Sequence, residues 1–251
     1  MKSRYSKPMI WMFLLPIGIF LSSCYTSPKP VYQMKPLAEE SRWYLGGEYV
    51  KSEVENIEAA AAFDRTIDTE WVFDVEIANH TDQPVLVVPE KFYIKPMQRR
   101  NDTVFSPGKY IYAIDPERKL LEIDKDIAQE EAHYTSARST DGLISMLDLF
   151  ADIATIGKKK TPEEIEQEEI EDAEREESQV EREIRHEESM NDLTDLRGNW
   201  ENLTLRKTTL LPGYFIDGKV YFPAKRNVNY LELCLPVEKT TNTFLFQIVV
   251  F

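Results

Sequence analysis

The segment Glu70-Trp-Val-Phe-Asp-Val-Glu-Ile-Ala-Asn79 alternates between large apolar and mostly acidic residues. The apolar side chains are those of Trp71, Phe73, Val75 and Ile77. Because successive side chains of a β-strand point to opposite faces of its sheet, this alternation predicts a strand with one buried face. We therefore expect a sheet that packs against a second layer.

Further short strands are predicted on both sides of this segment. Upstream, Tyr49–Ile57 begins the sheet, while residues 59–62 are open between a helical turn and a loop. Alternation and turn residues predict the other strands at 85–88, 92–94, 109–114, 203–210, 220–223, 230–236 and 243–251. Leu211-Pro212-Gly213 is predicted as a turn, and Asp217-Gly218 as a turn or bulge.

A helical segment separates the two β regions. Asp115-Pro116-Glu117 has the residues of a helix start, and a second helix is predicted over 141–156. Thr161 and Glu164 have capping-box spacing and open a long charged helix. Since neither β region has enough strands for a sandwich by itself, the predicted fold class is mainly β with an α insertion. It is one immunoglobulin-like antiparallel β-sandwich over 38–251, with strands at about 48–114 and 202–251, interrupted by a two- to three-helix insertion at 115–199.

The predicted helix over 141–156 is apolar almost all round. Its polar residues fall into one stripe, made of Ser145, Asp148, Asp152 and Thr155. Such a helix is either buried within the protein or exposes a docking surface for a partner or membrane. We favour burial, and name the possible partner-binding residues of the insertion as Leu143, Leu147, Phe150, Glu171, Glu177 and Glu181.

The charged helix carries most of the excess acidity of the chain. Residues 162–192 hold 15 acidic residues against three arginines, a net charge of −12. The whole chain has a formal net charge of −14. We expect an exposed acidic arm, and no nucleic-acid partner, because phosphate contacts need an excess of lysine and arginine.

The N-terminus has the layout of an export signal. Lys2, Arg4 and Lys7 precede the apolar run of residues 9–21, which is too short to span a bilayer as a helix. Leu21-Ser22-Ser23-Cys24 follows, and it resembles the bacterial lipobox. That resemblance implies cleavage of residues 1–23 as a signal peptide and acylation of Cys24, typically with palmitate among the chains.

Residues 24–37 contain Pro28, Pro30 and Pro36, and are predicted as a tether between the lipidated cysteine and the domain. Tyr25 stands where an inner-membrane retention signal of enteric bacteria carries aspartate, and no acidic cluster follows. The expected location is therefore the outer membrane of a Gram-negative bacterium. Of the two orientations there, we favour the one that faces the periplasm over exposure on the cell surface.

Three stretches of the β regions resemble a known family. Residues 73–79 with Pro84 and Val85, then Leu211-Pro-Gly213, then Gly218-Lys-Val-Tyr-Phe222, are similar to telokin-like, immunoglobulin-fold bacterial lipoproteins of unknown function. The resemblance covers about 120 residues without the insertion. It implies a fold and an envelope location, and a binding role by analogy.

The sequence holds no recognisable catalytic motif, metal-ligand spacing or cofactor loop, so we expect neither an enzyme nor a cofactor. The main prediction is a lipid-anchored envelope module that binds a protein, as an accessory part of an outer-membrane assembly. One alternative is an envelope-polymer hydrolase that uses His80, His133, Asp148 and Asp152. The other is a sugar- or peptide-binding lipoprotein with Trp43, Tyr44 and Trp200 on a concave patch. Cys234 is predicted as a buried small apolar residue; a disulfide-linked dimer and a catalytic thiol are its alternatives.

Lipidation is tested by Cys24→Ser. Without the thiol no thioether can form, so the variant should lose the lipid mass and the membrane fraction should lose the protein. The measurement is intact-mass spectrometry with fractionation, and Cys234→Ser is the control that should keep both. A membrane-bound, lipid-bearing Cys24→Ser protein would contradict the prediction.

Overall fold

The computed structural model describes residues 31–67, 69–100, 103–105, 108–154, 161–225 and 228–250. Cys24 and the predicted signal peptide lie outside the described residues. The strands are β1 (Tyr32–Pro36), β2 (Arg42–Tyr44), β3 (Gly47–Val54), β4 (Ile57–Ile67), β5 (Glu70–Asn79), β6 (Val85–Val87), β7 (Tyr93–Arg100), β8 (Thr103–Phe105), β9 (Ile111–Tyr112), β10 (Thr208–Leu210), β11 (Phe215–Pro223), β12 (Tyr230–Val237) and β13 (Thr240–Val250). The helices are α1 (Pro116–Ala154) and α2 (Pro162–Leu203).

The strands form two main antiparallel sheets. The first has the order β1-β13-β12-β7-β8, with β9 also on β7, and the second has the order β11-β5-β4-β3-β2. A two-stranded ribbon joins β6 to β10. Side chains of both sheets share one apolar core, in which the rings of Phe73 and Phe246 meet at 5.3 Å between centroids. The architecture is consistent with a β-sandwich with a helical insertion.

Strand β5 has the predicted bounds and the predicted burial. Trp71, Phe73, Val75 and Ile77 are all buried in the core between the sheets. Residues 59–62, for which the sequence predicted either a helical turn or a loop, lie inside β4 and are buried. Ala59 and Ala61 lie in the core between the sheets, where their small side chains let the sheets pack closely.

The two halves of the chain pair directly across the insertion. Strand β11 runs antiparallel to β5 along its full length, from Phe215 opposite Ala78 to Pro223 opposite Glu70. In the other sheet β12 pairs with β7. Strands from the two sides of the helical insertion therefore complete the same sheets.

A buried asparagine organises one end of the sandwich. The side-chain Nδ2 of Asn79 donates to the carbonyl oxygens of Gln83 and Leu210, at 2.8 and 3.0 Å. Its backbone carbonyl accepts a hydrogen bond from the N–H of Gly213. Gly213 has a φ of +78°, as the predicted Pro-Gly turn requires. Through its side chain and its backbone carbonyl, Asn79 thus ties the β5–β6 turn to β10 and to the turn that follows β10.

The sheet begins earlier than the sequence indicates. Residues 32–36 of the predicted tether form β1 and pair with β13, from Tyr32 opposite Val250 to Pro36 opposite Phe246. Met34 of this strand is buried in the core. The prediction of a tether that reaches residue 37 was wrong for this part, because the edge of β13 offers backbone partners that no local pattern reveals.

The insertion contains two helices among the described residues, and α1 joins the two helices predicted separately over 115–156. Residues 135–140 continue the helix, and Ser139 and Thr140 donate their hydroxyl groups to carbonyl oxygens four residues earlier. These hydrogen bonds satisfy the polar side chains without ending the helix. At its start, Asp115 accepts hydrogen bonds from the N–H groups of Glu117 and Arg118, as predicted.

Helix α2 begins with the predicted capping box at Thr161 and Glu164 but ends later than predicted, at Leu203. Trp200 stacks on Tyr221 at 4.3 Å and, with Leu120, Ile123 and Val72, forms a second buried cluster. This packing fixes the base of the insertion on the outer face of the second sheet. It also extends the helix to Leu203, which was expected to begin a strand.

Gly218 lies within the continuous strand β11, so the predicted turn or bulge at Asp217-Gly218 was wrong. A Cβ at residue 218 would lie 2.6 Å from the backbone N of Leu205. The N–H of Leu205 donates to the carbonyl of Lys219 at 2.9 Å. Glycine is therefore needed because another segment of backbone crosses the strand here.

Gly218→Ala should destabilise the protein by about 1–3 kcal/mol, because backbone must move to admit the methyl group. Gly198→Ala is the matched control: it lies inside α2 with no atom within 4 Å of an added Cβ. It should stabilise the protein by about 0.5–1 kcal/mol through helix propensity. Urea unfolding measures both changes, and the same sign for the two variants would contradict the close approach.

Candidate functional site

The two helices form an antiparallel hairpin with a polar middle. Arg182 of α2 donates to Asp141 of α1 at 2.6 Å. Closer to the sheet, His186 lies 3.1 Å from Glu130 and stacks on Tyr134 at 4.0 Å between ring centroids. The facing sides of the helices are therefore apolar at the base and charged farther out.

Several apolar residues at the far end of α1 point away from α2. Ser145 lines the groove between the helices together with Asp141 and Arg182. At 100° per residue, positions 143, 147 and 150 lie about 140–160° around the helix from Ser145. The side chains of Leu143, Leu147 and Phe150 are 64%, 66% and 54% exposed. Together with Met146 and Ile153 they form what we call the distal apolar face.

The expected burial of this helix segment was wrong. Ile123 is buried near the base of α1, and Leu143 lies 20 residues farther along, which is about 30 Å at helical rise. The sandwich therefore lies too far away to cover it. Helix α2 can cover only one side, and the predicted polar stripe begins there with Ser145. The side chains of Asp148 and Asp152, and all of Thr155, lie outside the described residues.

The acidic residues named as partner-binding do not share one surface. Position 171 lies three turns from Arg182 on the side of α2 that faces α1, and Glu171 is 3.8 Å from Arg175. Positions 181 and 177 are about 100° and 140° away from Arg182 around the helix. The distal apolar face and Glu177 thus point to opposite sides of the hairpin. Only a partner that wraps around the hairpin could touch both.

A second concave surface lies on the outer face of the second sheet, and we call it the β3 cleft. It encloses about 740 Å³ between the β2–β3 turn and the end of α2, with Tyr44, Tyr49 and Asn202 on its walls. Lys219 lies at its floor and donates to Asp64 at 2.7 Å and to Asp74 at 2.8 Å. Tyr49 donates to the other oxygen of Asp74 at 3.5 Å.

The charges at the floor of the cleft neutralise one another. Burial by itself lowers the pKa of Lys219, but hydrogen bonds to Asp64 and Asp74 raise it above its ordinary value. Burial by itself raises the pKa of Asp64. Hydrogen bonds from Lys219 and Arg65 lower it by more than burial raises it, so the pKa of Asp64 lies below its ordinary value. An ammonium held in this way is a poor nucleophile or base, because both roles need the neutral amine. This cluster therefore fits a structural role.

The residues named for the hydrolase alternative lie apart. His80 is exposed in the turn after β5, whereas His133 is exposed in α1, about 22 Å along the helix from position 148. In the described ranges no group of three His, Cys, Asp or Glu side chains converges as metal ligands would. Among the described helices, none is long and apolar enough to cross a membrane.

Of the aromatic residues named for ligand binding, Trp200 is buried against Tyr221, so that part of the prediction was wrong. Trp43 and Tyr44 are exposed, and Tyr44 lines the β3 cleft. Cys234 is buried as predicted, and burial raises the pKa of its thiol.

A scan against protein-family models finds no match, and searches of the curated proteins and of the solved structures find none either.

Lys219→Met tests the ion cluster. Removing the ammonium leaves Asp64 and Asp74 partly buried and mutually repulsive, so the variant should lose about 1–3 kcal/mol at pH 7. In wild type the lowered pKa of Asp64 adds stability above about pH 4, and this is lost as the pH falls through the folded-state pKa. The difference between variant and wild type should therefore shrink below about pH 4.

Urea unfolding at neutral and acidic pH measures this difference. Lys95→Met, which removes a part-exposed pair with Glu232, is the control and should cost less than about 1 kcal/mol. If the stability lost in Lys219→Met is the same at both pH values, the ion cluster does not account for it. The loss would then come from packing of the aliphatic part of the lysine side chain.

Proposed function

We propose that the protein is a lipid-anchored interaction module of the cell envelope, held at the periplasmic side of the outer membrane by acylated Cys24. Its sandwich would be immunoglobulin-like, which is supported by the Asn79 hub and the Gly213 turn that it joins. In this proposal the helical hairpin binds a protein partner, and the module serves as an accessory part of a membrane assembly.

One observation carries the proposal: the distal apolar face is exposed on a side of α1 that no described part of the chain covers. Leucine and phenylalanine side chains in one stripe at spacings of four and three make a continuous apolar surface along a helix. Contiguous exposed apolar surface on a soluble domain is typical of a docking site. Removing this stripe from water is the main free-energy gain that binding would supply.

The charge beside this face favours a different protein as its occupant. Residues 162–192 carry a net charge of −12 and run back along α1 as the first part of α2. A second copy would bring the same charge to the contact, and an anionic bilayer surface would be repelled. The expected partner therefore has an apolar groove with a neutral or basic rim.

A combined Leu143→Ser, Leu147→Ser and Phe150→Ser variant should lose its partner while it stays folded. Loss of about 2 kcal/mol at an anchoring residue weakens binding roughly 30-fold. Because the side chains are exposed, stability should change by less than about 0.5 kcal/mol. A photoreactive amino acid is placed at Met146, an exposed and unmutated member of the same face, in both the wild type and the triple variant in cells. Mass spectrometry of the cross-linked product identifies the partner and measures the loss.

The matched control replaces Leu211, Tyr214 and Phe215 by serine, since these side chains are equally apolar and exposed but lie on the sandwich. It should keep the cross-link. Cross-links only to a second copy, with a doubled mass in light scattering, would contradict the proposal. Cross-links only to lipid would also contradict it.

A further inference from the structure

The turn between β2 and β3 exposes three apolar or aromatic residues in a row. Trp43 and Tyr44 are 68% and 66% exposed, and Leu45 at the turn is 89% exposed. We call these three residues the aromatic tip. Strand β2 is an edge strand that pairs with β3, from Arg42 opposite Tyr49 to Tyr44 opposite Gly47. The tip therefore projects from the edge of the second sheet.

Leu45 occupies a backbone conformation that does not suit it. Its φ is +46°, and Gly46 follows at +85°. In two-residue hairpin turns of this kind the first position favours asparagine, aspartate or glycine, since a branched side chain is strained there. At 89% exposure, a leucine there also buries little apolar surface in the fold. Strain of this kind is often kept for a functional contact.

The aromatic tip lies at the end of the sandwich where the described chain begins. Strand β1 starts there, because the ring of Tyr32 touches Trp71, which pairs with Thr66 near the end of β4. Strand β3 runs antiparallel to β4, with Val50 opposite Ala61, so its first residue Gly47 falls level with position 64. The turn before Gly47 extends farther in the same direction.

Covalent chain length limits how far this end can be from the anchor. Only seven residue steps separate Cys24 from Val31, and fully extended they span about 25 Å. If Cys24 carries the lipid, the end of the sandwich that holds the aromatic tip must stay close to the bilayer surface. The opposite end, with Tyr214 and Phe215, has no such restraint.

We propose that the aromatic tip inserts into the headgroup region of the bilayer that holds the lipidated Cys24. This inference rests on the proposed lipid anchor and adds a second membrane contact that sets the orientation of the domain. Tryptophan and tyrosine suit this layer because their rings are apolar with one polar group. Leu45 at the apex would reach the start of the acyl chains, which makes its exposure favourable.

Tryptophan fluorescence gives a direct test with the full lipidated protein. Trp71 and Trp200 are buried, and Trp11 lies in the predicted signal peptide, so a quencher in the lipid reports on Trp43. The protein is reconstituted into phosphatidylethanolamine–phosphatidylglycerol vesicles with bromine near the top of the acyl chains. Trp43→Phe supplies the background emission, and intact-mass spectrometry first establishes whether Cys24 is lipidated.

The expected result is a shift of Trp43 emission to shorter wavelength and loss of most of that emission to brominated lipid. Leu45→Asn should weaken the quenching without lowering the melting temperature, since asparagine accepts a positive φ better than leucine. Tyr214→Ser with Phe215→Ser, at the other end, should change neither. This control separates a specific contact from a general loss of surface apolarity.

The outcomes distinguish the tip from the anchor. A lipidated protein whose Trp43 emission is unquenched and unshifted overturns the membrane contact, while the anchor and the proposed function stand. An unlipidated protein overturns both, and the mass spectrum identifies that case. A response of Trp43 to a soluble N-acetylglucosamine tetramer, with none to brominated lipid, also overturns the membrane contact and supports a sugar-binding role for Trp43.

Discussion

The antiparallel pairing of β5 with β11 is the constraint on which the rest of the structure depends. It brings together chain segments that are separated by the whole helical insertion, and it places Phe73 beside Phe222 and Phe246 in one aromatic cluster. Because this cluster joins both sheets, neither half of the chain can bury its apolar residues without the other. The insertion must therefore leave and re-enter at neighbouring points, which makes it a hairpin. The second cluster around Trp200 and Tyr221 then holds the base of that hairpin on the sheet.

The hairpin changes character along its length, and this change is what makes it a candidate for binding. Near the sheet its helices share apolar contacts, and farther out they are joined by the Asp141–Arg182 and Glu130–His186 pairs. Polar contacts between the helices leave the apolar stripe of Leu143, Leu147 and Phe150 on the outside. An isolated two-helix hairpin covers only one side of each helix, so a helix that is apolar nearly all round must find another surface or remain exposed.

The two proposed contacts use different elements of the fold. The distal apolar face belongs to α1 and has the acidic α2 beside it, whereas the aromatic tip is formed by the β2–β3 turn, at the end of the sandwich where β1 starts. A protein partner and a bilayer surface would thus meet separate regions of one domain. A second membrane contact would restrict rotation of the domain about its anchor. The domain would then lose less rotational entropy when the hairpin binds its partner.

The sequence by itself determined the elements whose signals are local: the bounds and buried face of β5, the capping of both helices, the Pro-Gly turn at Gly213 and the buried state of Cys234. Alternation, capping residues and turn residues act within a few positions, so they can be read without knowing the fold. Tertiary structure alone decided the rest. Strand β1 needs the edge of β13, Gly218 needs the crossing backbone of Leu205, and α2 reaches Leu203 because Trp200 packs on Tyr221. The exposure of Leu147 and Phe150 was likewise decided by distance, since a periodic pattern shows which face of a helix is apolar but not what lies opposite it.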